Sequence, residues 1–158
     1  MDSEIMYTRR IVLVDAPFPP DLKNRRGQLL RWLANTLGLL SGKGEDVVVD
    51  VLDGLFYYNV KKGYPPSLEE LITYVNRKRR ERGESVVAAE AVRYHIRKME
   101  TLGVIERTSR RSGKIVFKHW KYGTGTPKDF VMALRSDVQD ILRRVEEAVD
   151  ALVSLYEI

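Results

Sequence analysis

The chain has 158 residues, 44% of them hydrophobic and 31% charged, with 27 Lys/Arg against 22 Asp/Glu and a net charge of +5. That length suits one core of about 100 to 150 residues with terminal additions, and the composition is globular, not disordered or collagen-like. Without cysteine there is no disulfide framework, thiolate nucleophile or zinc finger; the two histidines, His95 and His119, cannot form a metal site alone; and no apolar run reaches the ~18 to 20 residues of a membrane span.

The opening Met1-Asp2-Ser3-Glu4 lacks the basic-then-apolar order of a signal peptide, so a cytoplasmic protein with no membrane partner is expected. Arg9 to Val14 predicts a short strand, ended by the Pro-rich Ala16-Pro17-Phe18-Pro19-Pro20. From about Gly27, Leu29, Leu30, Trp32, Leu33, Leu37 and Leu40 recur at helical spacing until Ser41-Gly42-Lys43-Gly44. Asp46 is placed to cap a second helix through Val47, Val51, Leu52, Leu55 and Val60, stopped by Gly63 and Pro65-Pro66.

Ser67-Leu68-Glu69-Glu70 is a capping box that starts a third helix with Leu68, Leu71, Ile72 and Val75 on its apolar face. This helix ends in a basic run, Arg77-Lys78-Arg79-Arg80-Glu81-Arg82. Ser85 is expected to cap a fourth helix over residues 85–102, in which Ala89, Val92, Ile96, Met99 and Leu102 form one stripe and Gly103 the C-terminal stop. The period then changes to alternation over residues 104–120, a β-hairpin with Arg110, Arg111 and Lys114 at its tip. Gly123-Thr124-Gly125 reads as a joint, and Thr126-Pro127-Lys128-Asp129 as the start of a last helix with Thr126 as cap and Pro127 in its first position.

The charge is unevenly spread. Between Asn76 and Thr126 there are 14 Lys/Arg against 5 Asp/Glu, whereas residues 128–158 hold 4 against 7. A local excess of that size gathers polyanions, although a charge run also serves as an ordinary solvated face.

Capped helix, basic turn, helix ending in Leu102-Gly103 and then a hairpin resembles the winged helix-turn-helix family of DNA-binding transcriptional regulators over roughly residues 46–122. The stretch Val92-Arg93-Tyr94-His95-Ile96-Arg97-Lys98-Met99-Glu100-Thr101-Leu102-Gly103-Val104-Ile105-Glu106-Arg107 is similar to that family's recognition helix running into the wing. The resemblance implies a mainly α fold with a small β-hairpin wing, and three parts: an N-terminal extension (1–45), the winged domain (46–122), and a linker with C-terminal helix (123–158). It further implies duplex DNA as partner, with recognition helix 85–102 in the major groove and wing 104–120 on backbone or minor groove.

The DNA-contacting candidates are then Arg77, Lys78, Arg79, Arg80 and Arg82 at the turn, Glu90, Arg93, Tyr94, Arg97 and Lys98 on the helix, and Arg110, Arg111 and Lys114 on the wing. Each has a structural alternative. Arg93 and Arg97 could pair with Glu90 and Glu100, Tyr94 could pack against the wing, and Glu90 suits a DNA face only if it accepts from a cytosine amino group or an arginine. His95 reads as a partly buried structural residue.

The last helix carries Val131, Leu134, Val138, Ile141, Val145, Ala148, Leu152 and Leu155 at alternating steps of 3 and 4, a heptad seam. It predicts a coiled-coil homodimer, helped by the first helix around Trp32, or else a helix that folds back on its own domain. No cofactor, metal site or catalytic residue is expected: Ser41-Gly42-Lys43-Gly44 lacks phosphate-loop spacing, and Asp46, Asp50 and Asp53 lie on a core helix. The competing reading is a winged-helix module that binds protein or RNA within a transcription, replication or repair assembly.

Overall fold

A computed structural model describes residues 10–18, 20, 25–40, 45–108, 113–118 and 127–157. Its elements are α1 (Arg26–Thr36), α2 (Glu45–Phe56) continued by a π-helical segment (Tyr57–Lys62), α3 (Leu68–Glu81), α4 (Ala89–Thr101), β1 (Ile105–Arg107), β2 (Ile115–Phe117) and α5 (Lys128–Tyr156). The two strands pair antiparallel, with Glu106 opposite Val116.

The apolar stripes foreseen from periodicity meet in one core. Helix α2 packs against α1, α3 and α4, and Val48, Val51, Leu52 and Leu55 are fully buried against Leu71, Val75, Val92, Ile96 and Met99. Gly54 sets how closely α3 approaches: a Cβ there would lie 3.0 Å from Leu71 Cδ2 and 3.1 Å from Tyr74 Cδ1. Ser67 and Glu70 form the expected capping box at the start of α3. Gly103, at φ 74°, closes α4: its N–H bonds to Glu100 O and that of Val104 to Met99 O, the paired bonds of a Schellman stop.

The hairpin lies on this helical body. The Phe117 ring meets those of Phe56 at 5.0 Å and Phe130 at 6.0 Å, both tilted, and the Ile115 N–H donates to Pro66 O at 2.8 Å. One strand thus ties α2, the α2–α3 connection and the first turn of α5 together. Lys118 adds an ion pair to Asp137 at 3.0 Å. Beyond Ile141, α5 leaves the body and its side chains are exposed.

Four local expectations are corrected. Residues 10–14 are not a strand: Val14 donates to Thr36 O, and the segment lies on α1, where Trp32 Nε1–H donates to Ala16 O and Phe18 meets the Trp32 ring edge-on at 4.7 Å. Trp32 is therefore partly covered by its own chain. Asp46 sits within α2, which begins at Glu45, and pairs with Arg31 at 2.6 Å.

Ser85 does not cap α4, which starts at Ala89. The Asn76 side chain grips both the N–H (2.8 Å) and the C=O (3.1 Å) of Val87, two residues before the helix starts. Finally, Pro127 is the N-cap position of α5, not its first helical residue. Thr126, the Gly123–Gly125 joint, Ser41–Gly44, His119 and Trp120 lie outside the described residues.

Candidate nucleic-acid interface

Helix α4 is polar on one side because its other side is committed to the core: Val92, Ile96 and Met99 are fully buried. Opposite them, Arg97 is exposed and Tyr94 is 54% exposed, its ring edge-on to His95 at 5.2 Å. Arg93 pairs with Glu90 at 2.7 Å, so the carboxylate that looked unfavourable on this face has an arginine donor. The other expected pair does not form: Glu100 accepts instead from Arg107 Nε of β1 at 3.4 Å, which leaves Arg97 projecting.

Lys98 turns inward, its Nζ 3.5 Å from Leu39 O. Beside it His95 is buried, and burial first, then the Lys98 charge, pushes its pKa below the ordinary 6.5. His95 is thus the structural residue expected.

The five cations of the α3 end divide into two groups. Arg82 is bidentate to the buried Asp50 carboxylate, at 3.0 and 2.7 Å, and also reaches Glu84 at 2.8 Å. Those hydrogen bonds hold its guanidinium more firmly protonated than usual. Arg79 donates to Ser85 O at 2.6 Å and is largely buried. These two build the turn, a role that the basic run did not announce. Arg80 is exposed, and Arg77 and Lys78 reach Glu81 only at 3.9 and 3.8 Å.

On the wing, Lys114 is exposed, with its backbone held by Thr108 through N–H to Oγ1 at 2.9 Å. Arg110 and Arg111 lie outside the described residues. Among the nominated cations, the structure brings Arg93 and Arg97 onto one helix face, and diverts Arg79, Arg82 and Lys98 into internal contacts.

Sequence reasoning passed over a tyrosine cluster. Tyr57 lies 5.2 Å from Tyr58 and 4.9 Å from Tyr74, and Tyr58 lies 5.7 Å from Tyr64. Burial first, then the Asp53 carboxylate that accepts its O–H at 3.1 Å, pushes the Tyr74 pKa well above the usual phenol value. The available signal was three tyrosines and a Lys61-Lys62 pair within eight residues.

A family model described as the ribonuclease R winged-helix domain matches residues 73–118. No curated protein and no solved structure matches the chain. The matched stretch runs from within α3 through β2, and with the helices and antiparallel hairpin around it shows a winged-helix fold carrying a long C-terminal helix. Such a domain is consistent with nucleic-acid or protein interaction. Among the described residues no helix is long and apolar enough to cross a membrane.

Proposed function

We propose that this protein is a dimeric, sequence-dependent binder of duplex DNA, a cytoplasmic transcriptional regulator that acts by binding and not by catalysis. The observation that carries this reading is the two-sidedness of α4: fully buried Val92, Ile96 and Met99 behind, and Arg93, Tyr94 and Arg97 in front. A helix of 13 residues is ~20 Å long and fits a major groove ~12 Å wide only when anchored in this manner. Arg80 and Lys114 would meet phosphates on either side, supplying affinity without sequence information.

Three carboxylates of α2 support a binding role, since each of the three has a structural partner: Asp46 with Arg31, Asp50 with Arg82 and Asp53 with the Tyr74 hydroxyl. Dimerisation is supported by α5, whose Val145, Leu152 and Leu155 are half or more exposed at heptad positions. A second copy of that helix would bury them. RNA binding is the second reading, favoured by the likeness to a ribonuclease winged-helix domain.

The test is retention of a random-sequence duplex pool across a salt titration, with an RNA hairpin alongside. Steep loss of duplex affinity with salt, and enrichment of a roughly palindromic sequence, are expected. Preference for the hairpin transfers the function to RNA; no retention of either at low salt refutes nucleic-acid binding.

A further inference from the structure

The surface around the π-helical segment is chemically unlike the α4 face. The Tyr57 ring has Lys61 and Lys62 each 5.9 Å from its centroid and Arg77 at 6.0 Å, so three cations converge on one ring. Arg77 also lies 5.1 Å from the buried Tyr74 ring. Tyr58 is half-buried beside Tyr57, and Tyr64, 42% exposed, continues the row.

Among the described residues, no carboxylate forms an ion pair with Lys61 or Lys62. The Glu70 carboxylate accepts the Ser67 N–H at 2.9 Å and the Tyr64 O–H at 3.1 Å, and the Asp53 carboxylate accepts from Tyr74. Glu81 reaches Arg77 only at 3.9 Å. Like charges gathered this closely repel one another, and an incoming polyanion relieves them. The strip reaches the wing as well, because the Ile115–Pro66 hydrogen bond seats Lys114 near enough to Glu70 to help hold that carboxylate ionised.

We propose that this strip, with Tyr57 and Tyr64 as stacking rings and Lys61, Lys62 and Arg77 as phosphate contacts, is a second nucleic-acid site that takes a single strand. Rings select unpaired bases, since a duplex keeps the faces of its bases stacked inside, and cations interleaved with rings match the alternation of phosphate and base along a single strand. The π-helical segment that ends α2 places Lys61 and Lys62 over the same ring. Tyr57, Lys61, Lys62 and Tyr64 are not among the residues assigned to the duplex, so substitutions there probe the strip alone.

The experiment is fluorescence anisotropy with labelled twelve-nucleotide oligothymidylate and oligouridylate, beside a labelled duplex. Lys61 and Lys62 are both exposed, so Lys61→Ala/Lys62→Ala leaves the core intact, which a thermal melt checks. The double variant is expected to bind at least one of the single strands about tenfold more weakly, with a shallower salt dependence, and the duplex within about twofold of the parent. Tyr57→Leu should weaken single-strand binding about fivefold, and Tyr57→Phe, which keeps the ring, by less than twofold. The proposal is overturned if neither strand is affected, if single-strand and duplex affinity fall together, if Tyr57→Leu and Tyr57→Phe behave alike, or if polyglutamate displaces the strands as well as unlabelled oligonucleotide does. The last result assigns the strip to an acidic protein partner.

Discussion

Helices α4 and α5 are written with the same kind of apolar stripe, and the molecule treats them differently. Ile96 in α4 is fully buried, whereas Leu152 in α5 is 52% exposed, although both lie at regular helical spacing among apolar neighbours. The cause is reach. Over 13 residues α4 stays within the span of α2 and α3, while the 29 residues of α5 run ~43 Å, and only its start finds Phe117 and Lys118. An apolar stripe reports that a helix has something to cover, and does not say whether its own domain covers it.

The strongest way to break this comparison is to cut both stripes. Ile96→Ala should lower unfolding free energy by about 3 kcal/mol in a urea titration, a buried large-to-small change in a packed core. Leu152→Ala should change it by less than about 0.5 kcal/mol at protein concentrations where the chain is monomeric, yet weaken self-association measured by sedimentation equilibrium. Equal effects of the two variants on the monomer contradict the contrast.

Next in size are the ties that hold each helix. Arg82→Ala strands a buried Asp50 carboxylate and should cost about 2 kcal/mol, while Asp137→Ala, which breaks the Lys118 pair holding α5, should cost less than about 1 kcal/mol. Arg82→Lys should recover only part of the loss, because an ammonium cannot reproduce the two-pronged contact. Urea midpoints of the three variants measure these differences.

These ties also mark the limit of what was legible. The capping box at Ser67, the stop at Gly103, the buried face of α4 and the hairpin follow from residues close together in sequence, which local periodicity and turn chemistry report. Arg82 and Asp50 are 32 positions apart, and Asn76 and Val87 are 11 apart; no local pattern pairs them. That is why the structural role of Arg82 in the turn went unread and Ser85 looked like a cap. The tyrosine cluster escaped for a related reason, since its rings come from α3, from the π-helical segment and from just beyond it.

The smallest expected effect is the pH dependence that His95 gives α4. Its folded pKa lies below the unfolded value of 6.5, so as pH falls the unfolded chain takes the proton first. The stabilisation is complete above pH 6.5 and is lost as pH drops through the folded value. Between pH 7.5 and 5.5 the urea midpoint should fall by roughly half a molar or less, and His95→Leu should flatten that fall. Glu70, whose pKa is lowered chiefly by the Ser67 N–H bond, contributes in a separate window, as pH falls below 4.5.

The claim that the α4 face meets nucleic acid is tested most directly by reversing its charge at two side chains outside the core, of which Arg93 has only its surface pair with Glu90 to lose. In Arg93→Glu/Arg97→Glu, duplex binding at low salt should weaken at least about a hundredfold while circular dichroism and the urea midpoint stay close to the parent's. A folded double variant that binds the duplex as tightly as the parent contradicts the account.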